Sequence, residues 1–91
     1  MPKRDKVEII GDMLSEIQHK NGRIKPTHLM YKANLSHAQL KSYLEELIDK
    51  EFVEKTETPK EHYTYILLTE KGNKFLQRWR EMRQFETSFG F

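Results

Sequence analysis

A chain of 91 residues allows one compact domain that buries about 60–65% of the surface its unfolded form exposes, and it excludes a multidomain enzyme. Apolar residues make up 36% and charged residues 33%, with one Trp, four Tyr and five Phe to build a core, so the chain is polar but foldable. Cysteine is absent, which excludes disulfide frameworks, thiolate metal sites and cysteine nucleophiles, and the formal net charge is only +2.

The first periodic segment predicts a helix over residues 5–21. Val7, Ile10, Leu14 and Ile17 recur at helical spacing, and Ile9 and Met13 widen the stripe. Asn21-Gly22 stops it, because both residues tolerate positive φ, and Arg23-Ile24-Lys25 is long enough only for an extended connector or a very short strand. Pro26 suits a first helical turn, so a short second helix is expected over 26–34, its apolar face made by Leu29, Met30 and Ala33. After the turn at Asn34-Leu35, Ser36 and Gln39 form the pattern of a capping box opening a third helix over 36–51. Leu40, Leu44, Leu47, Ile48 and Glu51 share one stripe of that helix with Tyr43 on its flank, which turns Ala38, Gln39, Ser42, Glu45, Glu46 and Asp49 to solvent.

Phe52 to Glu57 and Tyr63 to Leu68 are β-prone runs separated by Thr58-Pro59-Lys60-Glu61-His62, a polar loop of hairpin length. They predict a two-stranded hairpin over 52–68. Thr69 caps a last helix over 70–86, along which Phe75, Leu76, Trp79 and Met82 recur at helical spacing. The expected class is therefore α+β, mostly α. Two short helices joined by a tight turn and followed by a hairpin make a winged helix-turn-helix over 1–91, with the second of them as recognition helix, the hairpin as wing and an extra C-terminal helix.

The charge total conceals a segregation. Ile17 to Leu44 holds Lys20, Arg23, Lys25, Lys32 and Lys41 together with His19, His28 and His37, and no Asp or Glu. Glu45 to Glu61 then carries an excess of acids, so the chain has one acid-free basic block followed by an acidic one.

The run Met30-Tyr31-Lys32-Ala33-Asn34-Leu35-Ser36, continuing into Tyr43-Leu44, Leu47-Ile48 and Phe52-Val53, resembles small archaeal winged-helix DNA-binding proteins. These include predicted transcriptional regulators and compact chromatin proteins that dimerise through a coiled coil. Tyr65-Ile66-Leu67-Leu68-Thr69-Glu70-Lys71-Gly72 is similar to the strand that leads into the last helix of that family. The resemblance implies binding of double-stranded DNA through the third helix and the wing, and a homodimer made by the C-terminal helix. The last helix is shorter here than the long coiled-coil helix of the chromatin-type members.

A recognition helix presents its N-terminal half to the major groove, which makes Ser36, His37, Gln39, Lys41 and Ser42 the candidates for base and backbone contact. Gln39 has two competing uses, the capping box and a bidentate pair with adenine. His37 lies close to the packed stripe, so a partly buried structural histidine competes with a DNA contact. Lys25, Thr27, His28 and Lys32 are the candidate phosphate contacts of the second helix, against the plain alternative of a solvated basic surface. Lys55, Lys60 and His62 are the wing's candidates, weakened by Glu57 and Glu61. Phe75, Trp79, Met82, Phe85 and Phe89 are more apolar surface than the last helix of a small monomer needs, which points to a dimer interface.

Chemistry finds little support. The acids Glu45, Glu46, Asp49, Glu51 and Glu54 are interleaved with Lys50 and read as a solvated helix end; the three histidines of the basic block do not have metal-ligand spacing. Gly22 and Gly72 read as isolated caps instead of a phosphate loop. Neither an enzyme, a cofactor, a metal nor a small-molecule substrate is expected. The run Ile66-Leu67-Leu68 is far too short for a membrane span, and a cytoplasmic, nucleoid-associated protein is the expectation. The rival is a winged helix that contacts a partner protein instead of DNA, and RNA binding is a further alternative.

Overall fold

The computed structural model of the chain describes residues 5–60 and 63–90. The elements are α1 (Lys6–His19), β1 (Arg23–Ile24), α2 (Pro26–Lys32), α3 (His37–Asp49), β2 (Val53–Thr58), β3 (Tyr63–Leu68) and α4 (Glu70–Ser88). The sheet has three antiparallel strands in the order β1-β3-β2.

Local chemistry sets most of the boundaries. The Asp5 carboxylate accepts a hydrogen bond from the Glu8 N–H (2.8 Å) and starts α1. The first three helices all end in the same way, with a residue in the left-handed region: Asn21 (φ 62), Asn34 (φ 57) and Glu51 (φ 63). The N–H groups of Gly22, Leu35 and Phe52 then donate to the carbonyls of Ile17, Met30 and Leu47, each at 2.9 Å, which are Schellman termini. Glu51 was expected on the packed stripe of the third helix; it lies beyond the helix, as its terminating residue.

The wing hairpin forms as expected, but it does not stand alone. Arg23 pairs with Leu67 and Ile24 with Ile66, so the connector is a strand that completes the sheet on the far side of β3. Ile24 is buried, which is what two residues of strand gain by docking there.

The core lies where α1, α2 and α3 meet one face of the sheet. Met13, Leu14, Ile17, Leu29, Leu47, Ile66 and Leu76 are fully enclosed. The stripe on α1 is centred on Ile9, Ile10, Met13, Leu14 and Ile17, and Val7, expected on it, is exposed at the helix start. On α3, Leu40 and Leu47 are buried and Tyr43 and Leu44 half-buried, whereas Ile48 reaches solvent. Glu46, expected to be free, is half-buried and ion-paired with Lys6 of α1.

Two glycines mark close approaches. A Cβ at Gly11 would overlap the Trp79 indole, so α4 crosses α1 with the ring laid on the glycine. A Cβ at Gly72 would overlap the Phe52 carbonyl oxygen, so Gly72, expected as a helix cap, serves instead to let the first turn of α4 pass against the backbone that enters β2. The cap is Thr69, whose hydroxyl donates to the Glu51 carbonyl (2.7 Å) and accepts from the Gly72 N–H (3.0 Å). Polar side chains complete the α1–α4 contact: Arg80 donates to Gln18 (2.6 Å) and Ser15 (3.0 Å), and Gln18 donates to Asn73 (2.9 Å).

Candidate nucleic-acid interface

The surface around the α2–α3 turn is built from a short, rigid sequence. Asn34 in the left-handed region reverses the chain, and Leu35 is buried as an anchor. Ser36 then opens α3 with both halves of the capping box: its hydroxyl accepts from the Gln39 N–H (3.1 Å) and its own N–H donates to the Gln39 side-chain oxygen (2.9 Å). Such a terminus contributes about 1 kcal/mol and fixes the direction in which α3 leaves the turn. With 13 residues α3 is about 20 Å long, and its diameter suits a major groove about 12 Å wide.

Every described residue expected to meet DNA is exposed. On α2 these are Thr27, His28 and Lys32, with Lys25 at its N-cap; on α3 and its cap they are Ser36, His37, Gln39, Lys41 and Ser42; on the wing they are Lys55 and Lys60. His62 lies outside the described residues. The two open alternatives on α3 separate. His37 is exposed, which leaves no structural use for it in the core, and the Gln39 side-chain oxygen is engaged by the cap, so base reading would require that bond to be exchanged.

The electrostatics favour anions on one side. No acid lies in the sequence from Ile17 to Leu44, and among the described residues the ion pairs are Lys6–Glu46 and Lys74–Glu70, which leave Lys25, Lys32 and Lys41 out. The Lys25 ammonium instead lies 3.8 Å from the centroid of the Tyr63 ring, which brings the start of α2 against the wing and makes their surfaces contiguous. Lys55 lines a groove with Glu51, Glu54, Glu70, Lys71 and Lys74, where neighbouring acids offset its charge.

The candidates for a dimer contact fall into two groups. Phe75 packs on Phe52 (ring centroids 5.0 Å apart) and Trp79 covers Gly11, so both are half-buried within the fold. Met82, Phe85 and Phe89 are 47%, 60% and 66% exposed, with the Phe85 and Phe89 rings 4.8 Å apart. Exposed Val7 lies beside Trp79 and Met82 and continues that apolar surface onto α1.

Sequence reasoning passed over three residues. Tyr31 on α2 is 75% exposed, within the basic block and next to Lys32; Arg23 and Tyr63 lie on the outer face of the sheet. Tyr31 had a signal, since Leu29, Met30 and Ala33 already account for the packed face of so short a helix. Arg23 and Tyr63 had none, because their facing depends on the β1–β3 pairing.

No described helix is long and apolar enough to cross a membrane, and no group of three or more His, Asp or Glu among the described residues is arranged to hold a metal ion.

Comparison with known proteins agrees with this architecture. The uncharacterized protein MJ0290 of Methanocaldococcus jannaschii is 39% identical over 80 residues, covering 88% of this chain, whereas this chain spans only 34% of that relative. Among solved structures, the DNA-binding protein Sso10a-2 from Sulfolobus solfataricus superposes with a TM-score of 0.79 at 19% identity, covering 94% of this chain and 85% of its own. The winged-helix DNA-binding protein F93 from STIV gives 0.74 at 21% identity over 92% of both chains. A mutant MarR from E. coli, complexed with operator DNA, gives 0.70 at 20% identity, covering 79% of this chain and 51% of its own. These similarities establish a shared fold. The winged helix-turn-helix family matches residues 3–87, and the chain belongs to that family.

Proposed function

We propose that the chain binds double-stranded DNA without catalysis, as a homodimer, with α3 in the major groove. The observation that carries this is the acid-free surface around the capped α2–α3 turn, where Lys25, Lys32 and Lys41 are exposed and outside the ion pairs of the described residues. A phosphate backbone approaching α2 and the first half of α3 meets cations first and reaches Glu45 only past the middle of α3. Lys25, Lys32 and Lys41 serve the phosphates, with Thr27, His28 and Tyr31 beside them. In this reading His37 and Ser42 reach base edges, and Gln39 does so only on exchanging its capping bond, while Ser36 holds the terminus. Lys60 at the wing supplies a secondary backbone contact, and Lys55 a weaker one.

The named proteins of like fold include DNA-binding proteins and a regulator bound to its operator, which supports a regulatory or chromatin-type role in the cytoplasm, at the nucleoid. Dimerisation through α4 would cover Met82, Phe85 and Phe89, the apolar surface that the body of the fold leaves bare. Twofold symmetry would then require a pseudo-palindromic site with half-sites about 10 bp apart or a multiple of that.

Titration of labelled duplex at low salt tests the reading. Duplex binding that weakens in Lys32→Ala/Lys41→Ala supports it. Absence of binding under those conditions overturns it in favour of a protein-interaction module. Selection from a random duplex pool then separates a regulator, which yields a motif, from an architectural protein, which does not.

A further inference from the structure

The sheet has a second face that the duplex interface does not use. Ile24, Ile66, Val53 and Leu68 turn to the core, so register places Arg23, Tyr63, Tyr65, Leu67, Thr56 and Thr58 together on the opposite side. The Arg23 guanidinium lies 4.4 Å from the centroid of the Tyr65 ring, beside the Lys25–Tyr63 pair already described. Arg23, Lys25 and Thr56 are exposed, Tyr63 is 47% exposed and Tyr65 half-buried. Among the described strand residues of this face the acid is Glu54, in register with Leu67 and so opposite Arg23 across β3.

Two tyrosines at alternate positions of one strand stand about 7 Å apart. That is roughly twice the ~3.4 Å rise of a duplex strand, so bases meeting both rings must be unstacked from each other. Aromatic rings offer every base a π-face without reading its identity, and flanking cations neutralise the backbone that joins the bases. A guanidinium over a ring extends the stacking surface instead of blocking it, because it is itself planar, whereas the Lys25 ammonium must swing from the Tyr63 ring to a phosphate for a base to stack there.

We propose that the outer sheet face binds an unpaired nucleic-acid strand, with bases stacking on Tyr63 and Tyr65 and phosphates meeting Arg23 and Lys25. The site lies beside the duplex interface and shares Lys25 with it. Lys25 lies at the edge where the two surfaces meet, so the test leaves it intact.

Fluorescence anisotropy at low salt with labelled oligothymidine, oligouridine and a blunt-ended two-strand duplex tests the site in three proteins: wild type, Tyr63→Leu/Tyr65→Leu and Tyr63→Phe/Tyr65→Phe. Leucine keeps apolar bulk and removes the rings. The expected result is strand binding weakened about tenfold or more in the leucine variant and retained in the phenylalanine variant, with duplex binding unchanged in the phenylalanine variant and reduced far less than strand binding in the leucine variant, which loses the ring beneath Lys25. The tighter of the two single strands identifies DNA or RNA as the source. Failure of the wild type to bind either strand, full strand affinity in the leucine variant, or equal loss on strand and duplex overturns the proposal. Should the leucine variant fail to give a native circular dichroism spectrum, Arg23→Glu takes its place: weakened strand binding with intact duplex binding supports the site, and unchanged strand binding overturns it.

Discussion

Gly72→Ala adds one methyl group where the first turn of α4 lies against the backbone entering β2. The new Cβ would overlap the Phe52 carbonyl oxygen, and that carbonyl also accepts the Thr69 N–H (3.2 Å). Neither side of the clash is a side chain with another rotamer, so the first turn of α4 must move off the entry to β2. Overpacking of this kind costs about 1–3 kcal/mol, and a stretched or lost hydrogen bond adds about 1 kcal/mol. The better helix propensity of alanine returns about 1 kcal/mol. The net loss is about 2 kcal/mol, which in a domain of this size lowers Tm by about 10 °C. Gly11→Ala is the comparison, because there the neighbour is a side chain. It should push the Trp79 indole outward, cost about 1 kcal/mol net and shift the emission of the chain's one tryptophan to the red. Thermal unfolding by circular dichroism, read beside tryptophan fluorescence of the folded proteins, distinguishes the two variants. A Gly72→Ala protein as stable as wild type, or a Gly72→Ala protein whose folded emission shifts as in Gly11→Ala, refutes the assignment of these contacts.

The other predictions concern caps and the bare end of α4. Glu51→Gly should raise stability by about 0.5–1 kcal/mol in urea denaturation, because glycine adopts the left-handed conformation without the strain that a side chain carries. Ser36→Ala should lower stability by about 1 kcal/mol in the same assay, by removing the oxygen that accepts the Gln39 N–H. Phe85→Glu/Phe89→Glu should leave the fold intact, since both rings are exposed, while light scattering at tens of micromolar changes from dimer to monomer mass. A wild type that is already monomeric there contradicts the proposed α4 contact. Trp79→Ala is a poorer probe of that contact, because the ring covers Gly11 within the fold and its loss would destabilise each protomer.

What could be read from the sequence was what local chemistry decides. The Ser36–Gln39 capping box, the Asn21-Gly22 stop and the proline start of α2 each involve residues within one turn of each other, and all are present. The exposure of Lys25, Lys32, Lys41 and Ser42 follows from the same periodicity that buries Leu29 and Leu47. Long-range pairing was not legible. Arg23-Ile24 becomes a strand only because Leu67 and Ile66 lie beside it, and that pairing in turn creates the outer face carrying Tyr63 and Tyr65. Glu51 gave no sign of a left-handed conformation, since its residue type disfavours one. The tasks of Gly11 and Gly72, and the Arg80–Gln18–Asn73 network, depend on how α4 crosses the body. The apolar surplus on α4 was visible as composition, but its division into Phe75 and Trp79 packed inward and Met82, Phe85 and Phe89 facing solvent required the structure.

The most direct test of duplex recognition by α2 and α3 is the salt dependence of duplex affinity. The helix contacts from Lys25, Lys32 and Lys41 alone predict a slope of log K against log salt of about −5 for a dimer, steeper if the wing lysines join, and Lys41→Ala should make it shallower by about 2 while weakening binding across sequences alike. A Lys41→Ala protein with the wild-type slope and affinity, or a wild type whose affinity is indifferent to salt, contradicts recognition through this surface.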